Sequence, residues 1–271
     1  MRILICGDVD ARTGRESVAK YLPELKKKFA LDFIVINVDN AAGGFGITAD
    51  IAKEFFNMGA DILTGGNHVF DQNGVIPFLE AEPRMLRPYN LVASTPGHGF
   101  SETKTAKGQK VVVIHLLGQR FMPIIGNDPF ESCSQLLSRY ILGKNVDAII
   151  VDFHAEFTSE KNALGHFLDG KVSAVVGTHT HIPTSDERIL EHGTAFQTDL
   201  GMCGDYDSVI GAKKEDIVEK FTKIHTKVRI QSATGESTFC ALMVETDNKT
   251  GLATSVRAFK LGGCIETPFI S

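Results

Sequence analysis

Residues 60–68 read Ala-Asp-Ile-Leu-Thr-Gly-Gly-Asn-His, an apolar run followed at once by two glycines and a polar pair. The run predicts a short buried strand, and the glycines predict a sharp loop at the carboxyl end of that strand. Such loops are where α/β sheets place their ligands. Asn67 offers an amide oxygen as a metal ligand, and the imidazole of His68 beside it offers a proton donor. Taken alone, this pair is also typical of an ordinary turn, and the polar residues at the other strand ends are what favour a functional site.

Four other apolar runs end in polar residues in the same way. They span residues 2–9, 32–38, 148–153 and 172–176, and each is typical of a buried strand. The polar side chains at or just after their ends are Asp8, Asp39, Asn40, His154, His179 and His181. Since ligands of α/β proteins collect at the carboxyl ends of the strands, we expect these side chains to meet in one site.

The residue types of this predicted site favour a pair of metal ions. Carboxylates, amides and imidazoles together suit manganese, iron or zinc better than magnesium or calcium, which prefer oxygen ligands alone. With Asn67 and His68 there are eight such groups, more than one ion with an open position needs. Two ions about 3.5–4 Å apart that share a carboxylate can clamp a phosphoryl oxygen and hold a bridging hydroxide for in-line attack.

His179 and His181 raise a question of direction. They alternate along a segment that we expect to be extended, so their side chains should point apart unless the loop bends there. That geometry suits one imidazole per ion, or one ligand and one bystander.

Composition excludes several classes of protein. The 271 residues are 43% hydrophobic and 23% charged, with a net charge of −5 and a pI near 6.0. This balance does not indicate the basic surface that proteins use to bind long nucleic acid. The five cysteines are scattered and odd in number, which favours reduced thiols in a cytoplasmic protein. No apolar stretch approaches the roughly 18 residues of a membrane span. We expect a cytoplasmic protein with neither a membrane nor long nucleic acid as partner.

The order of the elements predicts the fold class. As far as about residue 181 the chain repeats strand, polar loop and helix, and beyond residue 194 it becomes rich in strands, with a hairpin turn at 247–251. Two minor strands are expected at 91–93 and 227–230. A single α/β domain over residues 1–271, with a β-rich C-terminal part, fits this pattern best.

The polar motifs, taken in order, resemble those of a known superfamily. They are Gly7-Asp8, Asp-Asn-Ala-Ala-Gly-Gly at 39–44, Gly-Asn-His at 66–68, Asp-Phe-His-Ala-Glu at 152–156 and Gly-Thr-His-Thr-His at 177–181. The set resembles the binuclear metallophosphoesterases and, more closely, the bacterial YmdB-like family of 2′,3′-cyclic-nucleotide 2′-phosphodiesterases. The likeness runs nearly the full length and includes residues 158–161 and 206–211.

The resemblance implies a fold, a site and a reaction. The fold is a four-layer α/β/β/α sandwich, and the substrates are small cyclic nucleotides, hydrolysed from 2′,3′-cyclic nucleotides to 3′-nucleotides. His68 would be the general acid that protonates the departing ribose oxygen. The ions would be iron or manganese, with zinc as a further candidate, and a homo-oligomer is expected. One ion would be held by Asp8, Asp39, Asn40 and His181, with Asp39 bridging to a second held by Asn67, His154 and His179.

Two positions depart from the pattern of that family. Asp39 stands where the family usually has glutamate, so a shorter carboxylate must reach two ions. Asp10-Ala11 stands where the family usually has an apolar residue and glycine. The Asp10 carboxyl group could add a ligand, repel substrate or face solvent, and solvent is our expectation.

Two other functions are compatible with some of the same residues. The glycines at 43–46 could form a dinucleotide or phosphate loop, but neither the G-x-G-x-x-G nor the G-x-x-x-x-G-K-[ST] spacing is present. The stronger rival is a regulatory protein that binds a nucleotide or phosphate at the metal site, with slow or absent turnover. It needs the same ligands, so the sequence leaves both open.

Overall fold

The chain folds into two mixed β-sheets with helices on their outer faces. The computed structural model describes residues 1–124, 126–225 and 227–267. Its strands are β1 (Arg2–Cys6), β2 (Asp8–Val9), β3 (Phe33–Asn37), β4 (Ile62–Thr64), β5 (Met85–Leu86), β6 (Phe100–Lys104), β7 (Lys110–Leu117), β8 (Ala148–His154), β9 (Ala174–Thr178), β10 (Arg188–Ile189), β11 (Ala195–Gln197), β12 (Met202–Asp205), β13 (Ser237–Thr246) and β14 (Ala253–Leu261). Its helices are α1 (Ala11–Phe29), α2 (Ala49–Met58), α3 (Val75–Ala81), α4 (Pro129–Leu137), α5 (Thr158–Leu168) and α6 (Lys214–Thr222).

Each sheet has a parallel centre. The first follows the order β2-β12-β13-β1-β3-β4-β5, with β14 also paired to β13, and β1, β3, β4 and β5 run parallel. The second follows the order β10-β11-β9-β8-β7-β6, in which β11, β9, β8 and β7 run parallel between antiparallel edge strands. The predicted hairpin at 247–251 joins the antiparallel pair β13 and β14.

Burial on both faces explains the continuous apolar strands. In β1, Ile3 and Ile5 pack against the other sheet, whereas Leu4 and Cys6 face helices α1 and α2. The second sheet is covered in the same way by α4 and α5. Each fully buried aliphatic side chain contributes about 1.5–3 kcal/mol. The predicted α/β/β/α sandwich is therefore confirmed.

The two sheets meet closely at the carboxyl ends of their parallel strands. Asp152 on β8 accepts hydrogen bonds from Asn37 Nδ2 on β3 at 3.0 Å and from Thr64 Oγ1 on β4 at 2.6 Å. These buried contacts join the sheets where the predicted site residues emerge. No helix in the described ranges has the length and apolar character that crossing a membrane requires.

Two predicted strands are wrong. Residues 91–93 are irregular: Leu91 packs into a small cluster with Leu117 and Met122 while Val92 is exposed, and no described strand pairs with them. Residues 227–230 are described but form no strand. In both cases a short segment with a strand-like residue pattern has no described strand paired with it.

Candidate active site

The predicted ligands come together at the carboxyl ends of the two sheets. Nε2 of His154 lies 3.1 Å from Asn67 Oδ1 and 3.3 Å from Asp39 Oδ2. Nε2 of His181 lies 3.3 Å from Asn40 Oδ1. All five side chains are buried. They form two clusters, one around His154 and one around His181.

Hydrogen bonds fix which nitrogen of His154 carries the proton. Burial alone would raise the pKa of Asp152, but His115 and Thr64 outweigh it and lower that pKa to about 2, so this carboxylate only accepts hydrogen bonds. The Thr178 hydroxyl donates to it at 2.8 Å, so Thr178 Oγ1 accepts the proton of His154 Nδ1 at 3.0 Å. In the neutral imidazole Nε2 then carries a lone pair, directed at the oxygens of Asn67 and Asp39.

His181 follows the same logic. Its Nδ1 lies 2.9 Å from the carbonyl oxygen of Ile210, which can only accept a hydrogen bond. Burial lowers the pKa of His181, so the ring is neutral and Nε2 carries the lone pair. The Asn40 amide donates through Nδ2 to the Gly44 carbonyl oxygen at 2.9 Å, which turns its Oδ1 toward that lone pair.

Where a lone pair on Nε2 faces these oxygen atoms, a cation belongs between them, either a proton or a metal ion. Two ligands at about 2.1 Å from one ion lie about 3.0–3.4 Å apart for octahedral to tetrahedral angles, and the three contacts from Nε2 match this spacing. Within the described residues, no group of three His, Cys, Asp or Glu side chains could by itself hold a metal ion. The donor set fits a metal only when the amide oxygens of Asn67 and Asn40 are counted as ligands.

The two carboxylates of the site are held by backbone amides. The His179 N–H donates to Asp8 at 3.1 Å, and the His68 N–H donates to Asp39 at 3.0 Å. Burial, with the nearby carboxylate of Asp199, raises the pKa of Asp8. Burial would also raise the pKa of Asp39, but positive charge on the adjacent imidazoles of His154 and His68 would outweigh it and lower that pKa, and a metal cation beside a neutral His154 would act in the same direction. A cation would offset the cost of burying both charges.

The loop that carries His179 and His181 bends, so the expectation that the two side chains point apart, which holds for an extended segment, does not apply. Both residues are in the left-handed region, with φ of 99° and 66°, where non-glycine residues are uncommon. Nε2 of His179 lies 3.2 Å from Glu156 Oε2. The ring of His179 also packs against the ring of His154, with centroids 4.8 Å apart. Burial, with the neighbouring imidazoles, lowers the pKa of His179 to about 2, so this ring is neutral. The predicted ligand His179 therefore directs its Nε2 at the exposed carboxylate of Glu156.

His68 lies at the rim of the site. Its Nδ1 is 2.6 Å from Asp71 Oδ2, and its side chain is 28% exposed. The ring of Phe45 packs edge-on against it, with centroids 5.1 Å apart. Because Asp71 occupies Nδ1, Nε2 is the nitrogen that a substrate can reach.

Gly66 and Gly177 leave room for the site. A Cβ atom at Gly66 would lie 2.3 Å from His154 Nε2, and one at Gly177 would lie 1.8 Å from the carbonyl oxygen of Thr198. Any side chain at Gly66 would displace the imidazole of His154. At these two positions glycine is needed for close packing and not for an unusual backbone conformation, since neither residue has a positive φ.

A buried ion pair supports the bent loop, and the residue pattern alone did not predict it. Lys161 Nζ lies 2.7 Å from Asp199 Oδ2, and both side chains are 1% exposed. The same oxygen accepts the hydroxyl proton of Thr180, between the two histidines, at 2.6 Å. The available signal was the position of Lys161 on the apolar stripe of α5, three and seven residues before Leu164 and Leu168.

The expectation that Asp10 faces solvent is wrong. Its side chain is buried, with only 4% of the residue exposed. The glycines Gly44, Gly204 and Gly211 leave space around its carboxyl group. Burial, with the nearby Asp205, raises the pKa of Asp10 to about 7.

Comparison with known proteins finds a match over nearly the whole chain. A family model described as YmdB-like protein matches residues 4–259. The 2′,3′-cyclic-nucleotide 2′-phosphodiesterase of Bacillus subtilis (strain 168) is 42% identical to the chain over 256 residues, which cover 94% of this chain and 95% of that protein.

Two solved structures have the same fold. A hypothetical protein from Thermus thermophilus superposes with a TM-score of 0.89 at 34% identity, over 97% of this chain and all of that one (100%). A novel phosphatase from Mycoplasma pneumoniae also gives 0.89, at 30% identity over 97% of this chain and 93% of that one. The architecture described above is thus shared along nearly the entire length of these proteins.

Proposed function

The chain belongs to the YmdB-like protein family, and on that premise we propose that it is a metal-dependent phosphodiesterase that hydrolyses 2′,3′-cyclic nucleotides to 3′-nucleotides. The observation that carries the metal dependence is the pair of lone-pair contacts at Nε2 of His154 and Nε2 of His181. The cyclic-nucleotide substrate is the one named for the Bacillus subtilis relative.

The two clusters divide the ligands between two ions. His181 and Asn40, with Asp8, would hold one ion, and His154 and Asn67 would hold the other. Asp39 lies against His154 and would be shared. When bound, such ions neutralise charge on the phosphate and activate water for attack on phosphorus. The donor set favours iron or manganese, with zinc as a further candidate.

His68 would supply the proton that the leaving oxygen needs. Opening the cyclic phosphate at the 2′ position breaks the bond between phosphorus and O2′, and an alkoxide is a poor leaving group unless it is protonated. In the protonated imidazole Asp71 would accept the Nδ1 proton, and the second proton, on Nε2, would be the one that passes to O2′. The 28% exposure of this side chain lets it take a new proton from water after each turnover.

The test of the proposed function measures metal content and product together. Protein purified without chelator should contain about two ions per chain and convert 2′,3′-cyclic AMP to 3′-AMP alone. The His154→Ala variant should lose metal, whereas His166→Ala, which removes an exposed histidine on α5, should keep it. Metal-free protein without turnover would overturn the proposal and favour the regulatory, ligand-binding alternative.

Asp71 is expected to act as a positioning residue. In Asp71→Asn the group that lies 2.6 Å from His68 Nδ1 loses its negative charge, so His68 becomes a less effective general acid. We expect kcat for 2′,3′-cyclic AMP to fall about tenfold to hundredfold, with KM little changed. Bis-p-nitrophenyl phosphate has a leaving group that departs without a proton and should be affected much less. Asp50→Asn, at an exposed surface pair with Lys53, is the control. An equal loss on both substrates would contradict the positioning role.

A further inference from the structure

A pocket opens beside the candidate active site and continues from it. It has a volume of about 310 Å³ and is bordered by His68 and His181. Its walls come from the loop after β3, the segment 209–212 and helix α6 with the chain beyond it. The larger apolar side chains that line it include Phe45, Ile210, Ile217, Phe221 and Ile230.

Folding does not account for these apolar side chains. Phe45 is 50% exposed, Ile210 is 55% exposed and Phe221 is 86% exposed. Helix α6 buries none of its residues, so its apolar side chains do not serve the core. An apolar patch of this kind beside polar site residues marks a place where a ligand binds.

Asp10 adds a polar group to the same pocket. Its carboxyl group lines the pocket, and its Oδ2 has no hydrogen-bond partner among the described residues. A buried carboxyl oxygen without a partner is costly, and in a structure it marks a place where a donor from elsewhere belongs. Asp10 lines the pocket together with the proposed ligands Asn40 and His181, so this donor would belong to a molecule bound next to the proposed ions.

We propose that this pocket binds the nucleobase of the substrate, with Phe45 and Phe221 against the faces of the base and Asp10 accepting a hydrogen bond from the nucleoside. The inference rests on the proposed function. In a 2′,3′-cyclic nucleotide one ribose ring separates the base from the phosphate, so the base must lie next to the ions. Aromatic side chains hold any base by its face, and the volume falls at the lower end of the roughly 300–1,000 Å³ of small-molecule sites.

The test compares two substrates that differ only in the base. One is 2′,3′-cyclic AMP, and the other is methyl ribofuranoside 2,3-cyclic phosphate, which has the same cyclic phosphodiester. The wild-type protein should prefer the nucleotide, and Phe45→Ala and Phe221→Ala should each lower the ratio of the two kcat/KM values about tenfold. Asp10→Asn should lower it as well. Phe167→Ala, which removes a partly exposed phenylalanine on α5, outside the pocket, should leave the ratio unchanged.

The ratio separates this inference from its alternatives. Phe45 packs against His68, but a disturbed His68 slows both substrates alike and cancels in the ratio. Equal kcat/KM values for both substrates in the wild-type protein, or a ratio unaffected by the three variants, would overturn the pocket assignment while the proposed function stands. If neither substrate is hydrolysed, the proposed function fails. Calorimetric binding of 3′-AMP against ribose 3-phosphate, in the wild-type protein and Phe45→Ala, then decides the pocket by itself.

Discussion

Replacing His68 by alanine should lower kcat for 2′,3′-cyclic AMP by about 10²–10⁴-fold, the usual contribution of a general acid. The imidazole lies at the rim of the site, with Nδ1 2.6 Å from Asp71 and 28% of its side chain exposed. Without it the departing O2′ has no proton donor of matching geometry. Metal content should not change, because only the backbone N–H of His68 touches a proposed ligand, Asp39, and alanine keeps that N–H.

The leaving group decides whether this loss is chemical or structural. With bis-p-nitrophenyl phosphate, whose leaving group needs no proton, His68→Ala should retain most of the wild-type rate. His192→Ala, which removes an exposed histidine paired with Asp169, should leave both rates unaltered. An unchanged kcat for the cyclic nucleotide in His68→Ala would exclude this residue as the acid. Full cellular function without hydrolysis would instead support a regulatory protein that binds its ligand.

The apolar runs predicted most of the fold because both sheets have a parallel centre. Parallel strands are buried on both faces and appear as continuous apolar segments, and the runs predicted at 32–38 and 148–153 form β3 and β8. The convergence of Asn67, His154 and His181 was predictable for the same reason, since the strand ends point to one edge. Short runs such as 91–93 carry the same local pattern, and only the absence of a neighbouring strand makes them loops.

The sequence did not reveal features that depend on contacts between distant residues. Asp10 is buried because Gly204 and Gly211, almost two hundred residues away, approach its carboxyl group, and nothing near residue 10 indicates it. The left-handed φ of His179 and His181 was not predicted either, because it is uncommon for any residue other than glycine, although histidine adopts it more readily than most. Such sites are where local preference and tertiary structure disagree, as is usual at functional sites.

Replacing Lys161 by methionine should lower the free energy of unfolding by about 3–5 kcal/mol, the cost of leaving one partner of a buried ion pair without the other. The ammonium group lies 2.7 Å from Asp199, and both side chains are 1% exposed. Methionine fills similar space but leaves the carboxylate in the interior without a counter-charge. A domain is stable by only about 5–15 kcal/mol in total, so the loss would be large. Urea unfolding measures it.

The double variant Lys161→Met/Asp199→Asn identifies the charge as the cause. Removing both charges should recover part of the loss, because an amide is far cheaper to bury than an unpaired carboxylate. Lys53→Met, at an exposed pair with Asp50, should change stability by no more than about 0.5 kcal/mol. Asp199 also accepts the hydroxyl proton of Thr180, so Lys161→Met should loosen the loop that positions His179 and His181 and lower metal content. Full stability together with full metal content in Lys161→Met would mean that the ion pair neither stabilises the fold nor holds the site.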